Sequence, residues 1–300
     1  MVYHSIQPKT LSIQRDGGYN EAVRIEDLRA IGRQLFQDIG RTRLTTATAE
    51  ALEKGAGGDR TFAVDKQAED IIFSGLEALN EPMSIVSEEF GSKDLLGGGQ
   101  RILIDPIDGS KNAISGLPFY CAAIAVAEGD TVGDIVQGYV VNLLSGDEFW
   151  AMKGQGAYFN GQRMTAQQDD LLRVVAFEAQ QPPRDMKHLL PLLSAARRVR
   201  CLGAVALDLA YVAYSAISVF YTNAPSRSID FGAGALFVRE SGGLVTDSAG
   251  ESIDNSPLGL SRTVNLLASG NSRLHELALS IIGARQSEQD KTGEVRTWVK

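Results

Sequence analysis

The chain has little of what several function classes require. Its 300 residues hold two cysteines, Cys121 and Cys201, each inside an apolar run (Cys121-Ala-Ala-Ile-Ala-Val and Val199-Arg-Cys-Leu). No disulfide framework is therefore expected, and both read as small core residues. His4, His188 and His275 stand far apart without a partner pattern, which argues against a histidine metal centre or a catalytic triad. No hydrophobic run reaches membrane-spanning length, and Met1-Val-Tyr-His-Ser-Ile-Gln-Pro-Lys lacks a signal peptide's apolar centre. A cytoplasmic protein with no membrane partner is expected. Net charge is −8 and the pI about 5.0, which speaks against a nucleic-acid partner. No Gly-x-x-x-x-Gly-Lys-Ser/Thr cradle exists, and Gly154-x-Gly156 is followed by Phe159 where a dinucleotide fingerprint needs glycine.

What is present suits a large layered fold. With 44% hydrophobic residues the chain can bury a sizeable core, as one big domain or two fused halves. Leu28, Ile31, Leu35 and Ile39 fall on one helical face within residues 21–39, and Ala68, Ile71, Ile72, Leu76 and Leu79 repeat the pattern in a helix expected from Asp65. Strand-like runs follow at 121–128, 135–141 and 148–152, and Tyr158-Phe159-Asn160-Gly161-Gln162 carries a type I′ hairpin signal. The first half, 1–155, thus reads as helices on an antiparallel sheet. The second half, 156–286, alternates strands (172–177, 199–202, 219–221, 244–246, 264–268) with helices (184–196, 205–217, from 231 to the Gly242-Gly243 stop, and from 271), which favours a second sheet with helical crossovers. Residues 287–300 read as a polar tail. No internal repeat or low-complexity segment interrupts this α/β pattern.

The stretch Ile104-Asp105-Pro106-Ile107-Asp108-Gly109-Ser110-Lys111-Asn112 carries the chemistry. The apolar run 101–104 reads as a strand that Pro106 ends. Asp105 and Asp108 then converge across a tight turn, an oxygen-rich pair suited to Mg²⁺ or Mn²⁺. Gly109 permits close backbone approach, and the amides after it can receive an anion. A plain strand-to-helix turn has the same residue preferences, but the longer Asp-Pro-x-Asp-Gly-Ser-x-Asn pattern arises by chance on the order of 10⁻⁵ per chain. Calcium sensing is excluded, because the twelfth position of an EF-hand loop starting at Asp105 is Gly116.

Together with Ser87-Glu88-Glu89, with Ile229-Asp230-Phe231-Gly232-Ala233-Gly234 running into Glu240-Ser241-Gly242-Gly243, and with Val64-Asp65, this turn resembles the inositol monophosphatase superfamily of metal-dependent sugar phosphatases. Ser110 stands where threonine is commoner, and Ile229 replaces a tryptophan. The resemblance implies an αβαβα sandwich with the site where the halves meet. It also implies a phosphomonoesterase using two or three Mg²⁺, with Mn²⁺ as a substitute, and an in-line attack by activated water. Glu88, Asp105 and the Ile107 carbonyl would hold one metal; Asp105, Asp108 and Asp230 the other. Asp65, Glu88 and Ser110 would be catalytic, Ser110 hydrogen-bonded to Asp65 and orienting the water, with Glu89 behind the ligands. Asp108 and the Gly109 and Ser110 amides would meet the phosphate. The Gly203-Ala204-Val205 turn would contact substrate, and 54–59 would cover the site as a loop. Gly97-Gly98-Gly99 reads instead as a connection.

Asn112-Ala113-Ile114-Ser115-Gly116-Leu117-Pro118-Phe119-Tyr120 and Arg227-Ser228-Ile229-Asp230 resemble the archaeal-type branch that takes both fructose 1,6-bisphosphate and inositol phosphates. Asn223 stands where inositol-specific members carry a glutamate, and Arg227 would grip a second phosphate rather than form a surface ion pair. The expected partners are thus a small phosphorylated sugar or polyol and further copies of the chain, as a homodimer or larger homo-oligomer. The alternatives are a 3′-phosphoadenosine nucleotide phosphatase of the same chemistry and, from another class, a non-catalytic binding protein of this fold. A glycosidase would need no Asp230 and would ignore chelator.

Overall fold

Leu28, Ile31, Leu35 and Ile39 are all buried, so the helical spacing is realised as α1 (Ile25–Leu35), closed by a wider π turn over Phe36–Gly40. This computed structural model describes residues 22–40, 51–58, 60–179 and 182–292. A hairpin of β1 (Ala51–Lys54) and β2 (Arg60–Phe62) leads into α2 (Ala63–Glu77), which buries Ala68, Ile72 and Leu76. The first large sheet takes β3 (Met83–Ser87), β4 (Gly91–Leu95) and β5 (Gln100–Asp108). After the short α3 (Ser110–Ser115) come β6 (Cys121–Ala127), β7 (Ile135–Asn142), β8 (Glu148–Met152), β9 (Gly156–Phe159) and β10 (Gln162–Arg163). The order is β10-β9-β8-β7-β6-β5-β3-β4, so this sheet itself reaches Arg163. Asn160 and Gly161 both take positive φ, 48° and 82°, joining β9 and β10 as the hairpin signal requires.

Two expectations for this half need correction. The sheet is mixed, because β3 pairs with β5 in parallel, Ser87 opposite Ile104. Strand β5 continues through Pro106 to Asp108: Asp105 faces Ala123 and Asp108 faces Cys121, so three steps on β5 match two on β6. Proline is tolerated there because the bulge needs no donor from its nitrogen. Gly97-Gly98-Gly99 does serve as a connection, the turn between β4 and β5.

The second half is β11 (Val174–Glu178), α4 (Pro182–Ala195), β12 (Arg198–Arg200), α5 (Val205–Ala213), β13 (Val219–Arg227), α6 (Ser228–Glu240), β14 (Leu244–Thr246), β15 (Arg262–Ser269) and α7 (Ser272–Thr292). Its sheet is ordered β12-β11-β13-β15-β14, with β12, β11 and β13 parallel and β15 antiparallel to β13. Helix α7 runs into the stretch expected to be a tail, and 293–300 lie outside the described residues. Cys121 is buried, but Cys201 is exposed, because it follows the edge strand β12, whose three residues all face solvent.

Five layers result. Strand β6 shows why: Ala122, Ile124 and Val126 face α1 and α2, while Cys121, Ala123, Ala125 and Ala127 face α5 and α6. Both faces are buried, and the small inner residues leave room for α6. That helix shares one apolar cluster with α5, with the inner face of the first sheet and with Phe220, Leu266 and Ala268 of the second. Leu189 and Leu192 of α4 and Leu274, Ala278 and Ile282 of α7 cover the far face with Val219, Tyr221 and Leu267. A Cβ at Gly234 would stand 2.6 Å from Leu209 Cβ, so α5 and α6 touch only because that position has no side chain.

Candidate active site

The parallel pairing of β3 and β5 brings Glu88 beside Asp105. The Glu88 N–H donates to the Ile104 carbonyl at 3.3 Å, so both acids leave the sheet at the same carboxyl edge. The bulge at Pro106 then turns Asp108 to the same side. Asp65 and Asp230 arrive on the third residues of α2 and α6, each accepting the amide just before its helix: Phe62 N–H to Asp65 Oδ2 at 2.7 Å and Arg227 N–H to Asp230 Oδ2 at 3.1 Å. All five carboxyl groups are buried.

Their electrostatics are strained. Burial pushes the Asp65 carboxyl up to about 7, with further raising from Glu89 and Glu88. Burial raises Glu88 to about 7 as well; the Arg227 guanidinium opposes this and Asp230 reinforces it. Asp105 is raised well above the usual carboxylate range by burial and by Glu88, Asp108 and Asp230. Asp108 is raised likewise, by burial and Asp230, although the Ala206 N–H donates to its Oδ2 at 2.6 Å.

That Ala206 bond joins the halves. The start of α5 points its amides at Asp108, and the start of α3 lies alongside it. Gly109 has φ +88°, and a Cβ there would stand 3.0 Å from the Phe119 oxygen and 3.1 Å from the Gly203 oxygen. Asn112 ties these helix starts together through its Nδ2, donating to Phe119 O at 2.8 Å and Leu202 O at 2.6 Å. Gly203 N–H donates to Glu178 Oε1 at 2.9 Å, and Ala204 and Val205 open α5. The Gly109-Ser110 and Gly203-Ala204-Val205 segments thus meet beside Asp108.

The remaining candidate residues surround this cluster or lie apart from it. The Ser110 hydroxyl donates to the Ile107 carbonyl at 2.9 Å, while remaining near enough to Asp65 to lower its pKa slightly. Arg227 is no surface ion pair: 6% of its side chain is exposed, and it sits between Glu88 and Asp230. Asn223 is half-buried on β13, its Oδ1 accepting the Tyr221 hydroxyl at 3.3 Å. The 54–59 loop is the turn between β1 and β2; Ala56 N–H donates to Glu89 O at 2.9 Å and Gly57 N–H to Glu88 O at 2.7 Å, while Asp59 lies outside the described residues. His275 is a packing residue held by Thr246 and Ser269, and His4 and the His188 side chain lie outside the described residues.

Sequence reasoning missed Glu69, buried on α2, whose Oε1 accepts the Ser87 hydroxyl and, at 3.2 Å, the Phe90 N–H. It holds the Glu88-Glu89 turn from behind. The available signal was its spacing, four residues after Asp65 on the same helix face.

Does this cluster fit a divalent cation? Among the described residues, no three carboxylate, histidine or cysteine side chains converge closely enough to clasp one as they stand, with Arg227 lying between two of them. The donor chemistry does fit. Asp105 Oδ1 is buried with no hydrogen-bond partner, among like charges that a cation relieves.

The sequence profile described as the Inositol monophosphatase family matches residues 21–287. The chain belongs to that family. It is 35% identical over 243 residues to a fructose-1,6-bisphosphatase/inositol-1-monophosphatase of Methanothermobacter thermautotrophicus, covering 77% of this chain and 86% of the relative. A bifunctional NADP phosphatase/NAD kinase of Methanococcus maripaludis is 29% identical over 79% of this chain, which spans 45% of that longer protein. A solved inositol monophosphatase-fructose 1,6-bisphosphatase superposes with a TM-score of 0.74 at 26% identity, covering 85% of this chain and 98% of that one. The layered α/β architecture is therefore the family's own.

Proposed function

We propose that the protein is a Mg²⁺-dependent phosphomonoesterase acting on small sugar or polyol phosphates, fructose 1,6-bisphosphate ahead of inositol 1-phosphate. What supports this most is that Glu88, Asp105, Asp108 and Asp230 are buried within one another's electrostatic reach, with Asp108 at the start of α5, so that a cation would relieve their mutual repulsion. Bound divalent metal would supply charge neutralisation of the phosphoryl group and activation of water. Glu88, Asp105, Asp108, Asp230 and the Ile107 carbonyl would hold it, and Mn²⁺ would substitute. Ser110, between the Ile107 carbonyl and Asp65, would orient the attacking water and pass a proton towards the buried Asp65 carboxyl. The Gly109 and Ser110 amides and the Gly203-Ala204-Val205 turn would position phosphate and hydroxyls. Asn223 in place of an acid would tolerate a second phosphate.

The same reading takes the protein as a cytoplasmic homodimer or larger homo-oligomer; among the described residues, no helix is long and apolar enough to cross a membrane. A second reading, a nucleotide phosphatase, is favoured by the likeness to the NADP phosphatase/NAD kinase. One panel tests both: fructose 1,6-bisphosphate, inositol 1-phosphate, a 3′-phosphoadenosine nucleotide and NADP⁺, each with Mg²⁺ and with chelator. Highest kcat/KM on the bisphosphate, abolished by chelator, supports the first reading. Highest turnover on a nucleotide selects the second, and metal-independent turnover overturns both.

A further inference from the structure

Arg227 spreads its guanidinium over two of the carboxylates expected to bind metal. Nη1 lies 2.7 Å from Glu88 Oε1 and Nη2 2.9 Å from Asp230 Oδ1, while Nε donates to Asp230 Oδ1 and Oδ2 at 3.0 and 3.1 Å. Those are oxygens a cation would need, and lone pairs engaged by a guanidinium cannot also coordinate a metal at about 2.0–2.6 Å. Arginine stays protonated at any ordinary pH, so only movement of the side chain relieves the competition. The backbone above is built around this placement. Gly57 N–H is bonded to Glu88 O at 2.7 Å, and a Cβ at Gly57 would stand 2.5 Å from Arg227 Nη1. The β1–β2 turn therefore packs directly against the guanidinium at position 57.

We propose that Arg227 is a resident competitor for the metal site: it clamps Glu88 and Asp230 until a divalent cation displaces it, and the displaced guanidinium then grips a phosphoryl oxygen. The last step rests on the phosphatase reading; the competition does not. A buried guanidinium stripped of its carboxylates needs a new anion, and phosphate matches its planar fork. Cation and phosphate binding are then coupled through this side chain, and the coupling is reciprocal.

The test needs no turnover. Metal-free wild type, Arg227→Met and Arg227→Lys are titrated with Mg²⁺ by calorimetry, without substrate. Losing a close charge partner of this kind should tighten Mg²⁺ binding at least about tenfold in Arg227→Met. Arg227→Lys, which keeps the charge but cannot span both carboxylates, should fall between; if the Met protein does not fold without metal, the Lys protein decides alone. Affinity unchanged or weakened in the variants overturns the competition. Inorganic phosphate binding is then measured with and without Mg²⁺. The enhancement by Mg²⁺ should shrink several-fold in Arg227→Met, and an equal enhancement in both proteins overturns the transfer to phosphate. If Mg²⁺ binds none of the three proteins, the metal-dependent phosphatase reading falls along with this one; if it binds all three alike, only the role of Arg227 falls.

Discussion

Asp65 is the residue whose environment most directly sets a pH dependence. Its carboxyl is raised from 3.8 to about 7, chiefly by burial, so the folded state favours its neutral form. Its contribution to stability is therefore full below pH 3.8 and is lost as pH rises to about 7. In chelator, wild type should lose on the order of a few kcal/mol across that window, and Asp65→Asn should lose less. Thermal melts at pH 4, 5, 6 and 7 read the difference; parallel melting curves for the two proteins would remove Asp65 as the cause. Ser110 makes a kinetic prediction. Removing its hydroxyl in Ser110→Ala should lower kcat by about 10²–10⁴, the scale of a positioned proton-transfer group, while Ser110→Thr stays active. A silent Ser110→Ala would leave water activation to the metal alone or to Glu89.

Between elements, the decisive contact is the one that holds the starts of α3 and α5 side by side. Asn112 reaches Phe119 O and Leu202 O, one in its own half and one in the other. Asn112→Ala leaves both carbonyls without that donor, which should cost about 1–3 kcal/mol and lower the melting temperature by roughly 2–4 °C per kcal/mol. Because the Gly109-Ser110 and Gly203-Ala204 backbones would then separate, KM should rise more than stability alone explains. Steady-state kinetics well below the melting temperature check this, and an unchanged KM would assign Asn112 to structure only.

For the whole molecule, metal binding at the carboxylate cluster would be coupled to folding, since its members come from residues 88 to 230 and meet only in the folded chain. A ligand that binds only the native state adds RT ln(1 + [L]/Kd), about 2.7 kcal/mol at a hundredfold excess. Mg²⁺ should therefore raise the melting temperature of wild type, and Asp108→Asn should lose most of that rise together with activity. Full turnover and an undiminished rise in Asp108→Asn would refute its place in the metal site. Phe237, fully buried where α6 meets the first sheet, offers a control: Phe237→Ala should cost about 3–5 kcal/mol while leaving the Mg²⁺-induced rise intact.

Short-range spacing determined a good deal by itself. The α1 and α2 faces and the Asn160-Gly161 hairpin each follow from residues a few positions apart, whose steric and hydrogen-bonding preferences act locally. Tertiary structure decided the rest. β3 escapes a local reading because its five residues are specified by parallel pairing with β5, whose energy lies in neither segment alone. Pro106 continues its strand because a bulge against β6 asks nothing of its nitrogen, and Cys201 is exposed because β12 happens to be an edge. Arg227 reads from its charge and position as a phosphate grip, and in the folded chain its ion pairs with Glu88 and Asp230 hold it inward. That choice depends on which charges the folded layers bring within 3 Å of its guanidinium, a fact of packing between residues 139 positions apart rather than of any stretch of sequence.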